Sequence, residues 1–361
     1  MPLSNSPRFH RLAVSDVRRE TKDAVSVGFI VPETLAAAYK FVPGQYLTLR
    51  ATIDGEEVRR SYSICSAPQD ETLRIAVKRV EDGVFSSWLN AGIKPGDTLD
   101  VMTPTGRFGL FYPAGDDRTY AGFAAGSGIT PMLSILRGVL AQEGNSRFFL
   151  FYGNRTTSEI MFLEELADLK DRFLGRIAIQ HVLSREEQDI PALNGRLDHA
   201  KVKLLLSTML PVSAIDEAFI CGPEGMIEEV ETALQDLGLA RDKIHVERFV
   251  SAYSGEPRPK AVIKSGAPPA HQATLIYDGK RREVPVAEGE TILEAALRAG
   301  LDLPFACKGG MCSTCRAKVL KGTARMDINY SLESWELDNG FVLTCQAHPT
   351  TARVVVDYDQ L

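Results

Sequence analysis

Three of the chain's six cysteines fall within nine residues, CKGGMCSTC at 307–315, and a fourth, Cys345, stands thirty residues further on. The spacing is C-x4-C-x2-C-x29-C. No other feature restricts the fold as strongly, because four thiols serving one centre tie a loop to a distant segment. The N-terminal stretch MPLSNSPRFHRLAV lacks the apolar core of a signal peptide. No stretch approaches the ~18–20 apolar residues of a membrane span. The expected compartment is therefore the cytoplasm, where thiols stay reduced, and metal ligation is favoured over disulfide staples.

Structural zinc sites usually carry two short C-x2-C or H-x3-5-H pairs; this chain has one short pair and no histidine to supply the other. The x4, x2 and distant-cysteine pattern is instead that of plant-type [2Fe-2S] ferredoxins, with Cys307, Cys312, Cys315 and Cys345 as the ligands. Gly309 and Gly310 would let backbone approach inorganic sulfide, and the Ser313 and Thr314 hydroxyls could hydrogen-bond sulfur. Zinc and buried free thiols are the alternatives. A ferredoxin cluster takes one electron at a time, so the upstream residues must supply them.

With 361 residues, two or three domains are expected. An apolar content of 44% supports packed cores, and a net charge of −6 without long single-sign blocks argues against a nucleic-acid partner. Residues 8–112 hold short β-rich runs, VSVGFIV, GQYLTLRATI, RRSYSICS and TLRIAVKRV, which predict an antiparallel barrel or sandwich. Residues 118–249 alternate strands such as RFFLFYG and EAFICGP with helical patterns, the signature of a parallel sheet covered by helices. Residues 251–270 hold four prolines and two glycines and read as a linker. After it come a hairpin around Asp278-Gly279, and a helix announced by a Thr291/Glu294 capping box and stopped by Gly300. The domains expected are 1–112, 113–250 and 271–361, joined by the linker.

Three upstream motifs carry chemistry. RRSYSICS (59–66) and EDGVFSSWL (81–89) resemble the flavin-binding R-x-Y-S-x-x-S and second phosphate loop of the ferredoxin–NADP reductase superfamily. The resemblance implies Arg60 on a flavin phosphate, Tyr62 stacked on the ring and Ser63 at its N5/O4 edge. It also implies that Gly83 permits a turn from which Ser86 and Ser87 donate to the diphosphate. AAGSGITPML (124–133) resembles the family's G-x-G-x-T-P nucleotide loop. There Gly126 and Gly128 would admit the pyrophosphate, Thr130 would cap the helix and Pro131 suits its first turn. FYGNRT (151–156) ends its strand in the family manner. CGPEGM (221–226) would set Cys221, Gly222 and Pro223 at a strand's carboxyl end, with Cys221 beside the nicotinamide. In VLSREEQ (182–188), the resemblance implies that Ser184 and Arg185 stand at the superfamily's adenosine 2'-phosphate position, favouring NADPH over NADH. Phe249, in HVERF, resembles the aromatic terminus that reaches the flavin. Cys65 reads as a core residue.

Nearly the whole chain, residues 8–361, thus resembles a ferredoxin–NADP-reductase-type module fused to a plant-type ferredoxin. The implied fold is a β-barrel flavin domain, an α/β nucleotide domain and a β-grasp ferredoxin domain. CKGGMCSTCRAKVLKG and NYSLESWELDNGFVLTCQAHP resemble the reductase subunits of bacterial phenylacetyl-CoA epoxidases. That resemblance implies FAD, one [2Fe-2S] cluster, and a multicomponent oxygenase of aromatic degradation as electron acceptor. Tyr62, Ser63 and Cys221 are then the catalytic candidates. Related reductases serve ring-hydroxylating and steroid-hydroxylating oxygenases, with NADH or FMN as alternative cofactors. An iron–sulfur redox sensor or carrier is the reading from another class.

Overall fold

The computed structural model describes residues 8–70, 72–109, 117–249 and 269–360. The proposed linker lies, but for its last two residues, outside the described residues, as do the 112/113 and 250/251 boundaries. Two compact units emerge. Of the described residues, one holds 11–58, 62–70, 72–109 and 117–249; the other groups 8–10 and 59–61 with 269–360.

The barrel, most of which falls in the first unit, is built from β1 (Phe9–Thr21), β2 (Ala24–Ile30), β3 (Tyr46–Ile53), β4 (Glu56–Ser63), β5 (Leu73–Lys78) and β6 (Thr98–Met102). Their order is β4-β3-β6-β1-β2-β5. An Ile64–Ile75 bridge and a hydrogen bond from Cys65 N–H to the Arg74 carbonyl join the outer strands, curling the sheet into a barrel. Alternating apolar residues, among them Leu47, Leu49, Ile75 and Val77, fill its interior. Cys65 is buried, as expected of a core residue. Helix α1 (Val84–Gly92) follows β5.

The α/β part contains β7 (Thr119–Ala125), α2 (Ile129–Gln142), β8 (Arg147–Asn154), α3 (Leu163–Arg172), β9 (Ile177–Leu183), α4 (His199–Met209), β10 (Glu217–Gly222), α5 (Glu224–Asp236) and β11 (Ile244–Arg248). The strands run parallel in the order β11-β10-β7-β8-β9. The chain leaves β7 toward β8 on one side and later returns to β10 on the other. The crevice between the carboxyl ends of β7 and β10 is therefore the switch point where such sheets bind ligands. The apolar runs of β7, β8 and β10 are buried because helices cover both faces. Helix α3 starts after Phe162, its N-cap, which takes a left-handed backbone, φ 60°.

The second unit is a β-grasp. β12 (His271–Tyr277) and β13 (Lys280–Val286) form the expected hairpin, with Asp278 and Gly279 at φ 55° and 68°. Helix α6 (Ile292–Arg298) starts on the Thr291/Glu294 capping box, both of its hydrogen bonds being present. Gly300, φ 77°, follows its end. β14 (Arg316–Lys321), β15 (Ala324–Met326), α7 (Ser334–Asp338), β16 (Phe341–Leu343), β17 (Ala347–Pro349) and β18 (Arg353–Asp357) complete it. β18 runs parallel to β12 and antiparallel to β14. The main sheet is β13-β12-β18-β14-β16, against which Ile292, Leu293, Ala295 and Ala296 pack. No helix of the described residues is long and apolar enough to cross a membrane.

Candidate functional site

The cysteine loop runs from α6 to β14, and Cys345 lies between β16 and β17. Lys308 and Ser313, φ 52° and 48°, and Gly310, φ 77°, wrap the loop in left-handed turns. Gly310 needs its glycine for space as well: a Cβ would lie 3.0 Å from the Ile328 carbonyl oxygen. The loop's N–H groups aim at sulfur, Gly309 N donating to Cys307 Sγ at 3.3 Å and Cys307 N to Cys312 Sγ at 3.5 Å. Thr314 Oγ1 donates to Cys312 Sγ at 3.2 Å, the contact anticipated for these hydroxyls.

The four thiols meet in two pairs, Cys307 with Cys312 and Cys315 with Cys345. The Cys312 thiol and the backbone donors beside it bring the Cys307 thiol down to about 6. The neighbouring Cys315 thiol likewise lowers Cys345. Cys312 and Cys315, each facing a more acidic partner and buried, are pushed up. Among the described residues no three such groups converge on a single-ion site. Two thiol pairs, ringed by N–H and O–H donors, fit the ligand set of a two-iron centre.

In the barrel, β4 carries Arg60 and Tyr62 on one face and Ser63 on the other. Arg60 is exposed, and Tyr62, half-buried, packs its ring 5.9 Å from Phe85 at the start of α1. The turn before α1 differs from expectation. Its left-handed residue is Asp82, φ 57°, while Gly83 has φ −76°. Glycine is needed at 83 for room, since a Cβ would lie 2.6 Å from Ser86 Oγ. That hydroxyl is spent on the turn, accepting from Val80 N at 3.1 Å and donating to the Gly83 carbonyl at 3.2 Å. The Ser87 N–H bonds the same carbonyl at 3.0 Å. The groups left to a diphosphate are the first-turn N–H groups of Val84, Phe85 and Ser86, which have no acceptor within a helix.

At the sheet's carboxyl edge, Gly126, φ 53°, and Gly128 form the turn from β7 into α2. A Cβ on Gly128 would sit 2.0 Å from the Cys221 carbonyl oxygen. Only glycine lets the loop lie against the end of β10. Tyr152 Oη donates to the Gly126 carbonyl at 2.9 Å and fixes the loop. Thr130 does not cap: the N-cap is Gly128, and Thr130 Oγ1 donates to the Ser127 carbonyl at 2.8 Å. Pro131 is in the first turn of α2, and Pro223 is the N-cap of α5. Gly222 closes β10 between Cys221 and Pro223.

Cys221 is fully buried and pairs across the sheet with Ala124 on one side and Glu247 on the other. Glu247 escaped the sequence reading, which singled out only Phe249 in HVERF. Its signal was a lone carboxylate in a sheet strand. Ser63 Oγ donates to Glu247 Oε2 at 3.4 Å, so a flavin-motif residue and the nucleotide-motif Cys221 flank one carboxyl group. Burial raises Glu247 to about 8, and burial with the nearby carboxylate raises the Cys221 thiol. Phe249 packs, partly buried, against the adjoining core.

At the ends of β8 and β9, Ser184 N donates to the Asn154 carbonyl at 3.0 Å and Arg185 N to the Arg155 carbonyl at 2.8 Å. Two exposed arginines thus stand side by side, Arg155 being a second residue that motif reading passed over. Glu186 turns away, its carboxylate accepting from Thr157 N at 2.8 Å and Thr157 Oγ1 at 2.6 Å.

Barrel, switch-point crevice and paired thiols define a flavin- and iron–sulfur-containing NAD(P)H oxidoreductase. The sequence matches an oxidoreductase FAD-binding domain over residues 12–110, an oxidoreductase NAD-binding domain over 123–232 and a 2Fe-2S iron-sulfur cluster binding domain over 275–350. It is 47% identical to one subunit of the 1,2-phenylacetyl-CoA epoxidase of Escherichia coli, over 97% of this chain and 98% of that one. The chain belongs to the family of that epoxidase component. The ferredoxin reductase component of the Rhodococcus rhodochrous 3-ketosteroid-9-alpha-monooxygenase is 34% identical, with 96% of each chain covered. The solved phthalate dioxygenase reductase shares the fold at TM-score 0.59 and 24% identity, covering 97% of this chain and 98% of that one. An intact type IV self-sufficient cytochrome P450 monooxygenase does so at TM-score 0.69 and 22% identity, where 97% of this chain matches 41% of that longer one.

Proposed function

We propose that the protein carries electrons from NADPH to a multicomponent oxygenase, and that this oxygenase is a phenylacetyl-CoA epoxidase complex. The observation that carries the reading is the meeting of Ser63 and Cys221 at Glu247. It puts the flavin motif and the nucleotide motif at one point, as hydride transfer requires. Bound FAD would accept a hydride and pass its electrons singly to a [2Fe-2S] cluster held by Cys307, Cys312, Cys315 and Cys345.

The remaining work is positioning. Tyr62 would cover the flavin ring, and Arg60 with the first-turn N–H groups of α1 would hold its phosphates. Gly126 and Gly128 keep the α2 turn open to a pyrophosphate. Cys221, Gly222 and Pro223 would bound the nicotinamide, and Phe249 the flavin's other approach. Glu247, uncharged below about pH 8, holds a proton where Ser63 Oγ reaches it. Cys221, its thiol kept neutral by burial, acts through shape.

NADPH is preferred to NADH in this reading because Arg155 and Arg185 offer two guanidinium groups to a 2'-phosphate. Thr157 meanwhile holds Glu186 away from the role an acid would play toward ribose hydroxyls. The 47% identity to an epoxidase component supports the choice of oxygenase over the steroid-linked alternative at 34%. The test is an anaerobic visible titration of purified protein with NADPH and, separately, NADH, followed by addition of phenylacetyl-CoA epoxidase oxygenase components. Efficient bleaching by NADPH and reoxidation by the oxygenase are expected. Equal bleaching by NADH would remove the cofactor preference, and absent iron–sulfur absorption would remove the whole chain of transfer.

A further inference from the structure

Gln346 follows the fourth ligand cysteine and is buried, 2% exposed, though its side chain is polar. Its Nε2 donates to the Lys308 carbonyl at 2.9 Å and toward Cys345 Sγ at 3.6 Å. Its Oε1 is buried with no hydrogen-bond partner among the described residues. Reversing the amide would set two carbonyl oxygens against each other at Lys308, so the orientation follows from that bond. Burying an amide with one unmet acceptor is unfavourable, and a leucine or methionine of similar size would avoid that loss. The side chain is thus held in an unfavourable state that keeps two N–H groups aimed at the cysteine loop.

Lys308 is one of the loop's left-handed residues, so its carbonyl bond holds the loop in an otherwise strained shape. The second N–H aims at a ligand sulfur. A side-chain donor reaches each sulfur pair: Thr314 donates to the Cys307/Cys312 pair, and Gln346 to the Cys315/Cys345 pair. A donor to a thiolate stabilises the extra negative charge of the reduced cluster and raises its potential.

We infer that Gln346 is a positioning residue that tunes the cluster: its amide donates to the Cys345 sulfur, braces the loop through Lys308, and makes the centre a better electron acceptor. The inference rests on the cluster assignment proposed above. The test uses the full-length protein loaded with FAD and cluster, with iron and sulfide content measured first. Gln346→Met keeps the volume and removes both donors. EPR-monitored redox titration should show a lower midpoint: at the wild-type midpoint, the reduced-to-oxidised ratio falls about threefold, roughly 30 mV at 59 mV per tenfold change for one electron. The flavin midpoint should not move. Gln346→Glu, similar in shape but negative, should lower the cluster midpoint further.

Unchanged midpoints in fully loaded variants would overturn the inference while leaving the function intact. Failure of both variants to load iron, beside a loaded wild type, would overturn tuning in favour of a purely structural role. A wild-type protein that binds no cluster would instead refute the proposed function itself.

Discussion

The sharpest prediction concerns Glu247. Burial lifts its carboxyl from 4.5 to about 8. In the unfolded chain the group loses its proton near 4.5; in the folded protein it keeps it up to about 8. Between these values the native state binds about one more proton than the unfolded state. Stability is therefore fully present below about pH 4.5 and declines as pH rises, by about 1.4 kcal/mol per pH unit, until the folded group ionises near 8. The whole window corresponds to about 5 kcal/mol as an upper bound, which the residue's partial exposure reduces to a few. Glu247→Gln removes the titration while keeping an amide within reach of Ser63. Chemical unfolding of the FAD-loaded protein, followed by flavin fluorescence from pH 5 to 8.5, should show wild-type stability falling relative to the variant. The variant should be the more stable of the two at pH 8. Parallel pH profiles would refute the claim that this carboxyl is held neutral in the folded protein.

Other perturbations separate the remaining parts. Arg185→Ala should reduce the NADPH/NADH ratio of kcat/KM by about tenfold or more, and Arg155→Ala by a smaller factor, as loss of charge-assisted phosphate contacts predicts; unchanged ratios in steady-state assays would place the 2'-phosphate elsewhere. Gly128→Ala forces a methyl onto the Cys221 carbonyl and should cost about 2 kcal/mol or more of stability together with nucleotide affinity, measurable by thermal unfolding and NADP+ binding. Cys345→Ser should lose or destabilise the cluster while FAD stays bound; a wild-type iron–sulfur spectrum with equal stability would exclude the cysteine as a ligand.

The parts legible in the sequence were those written in local spacing. The C-x4-C-x2-C run, the Asp278-Gly279 turn and the Thr291/Glu294 box are short-range patterns, set by neighbours along the chain. Strand–helix alternation likewise announced the parallel sheet. Where a side chain had a choice of partners, local reading was less secure. Ser86 and Thr130 carry hydroxyls suited to a phosphate or a cap, yet each bonds its own backbone turn. Gly83 sits in a turn whose left-handed conformation belongs to Asp82.

By itself the sequence determined the domain types, the order of the motifs and the four thiols, because turns, caps and ligand spacing are set by neighbours along the chain. The tertiary structure alone decided which distant residues share an environment. It set Glu247 between Ser63 and Cys221, Arg155 beside Arg185, and the Gln346 amide over the Lys308 carbonyl. Each of these depends on strand order or on how a loop closes. Burial and hydrogen bonding across such separations, which fix a proton on Glu247 and an orientation on Gln346, exist only once the chain has folded.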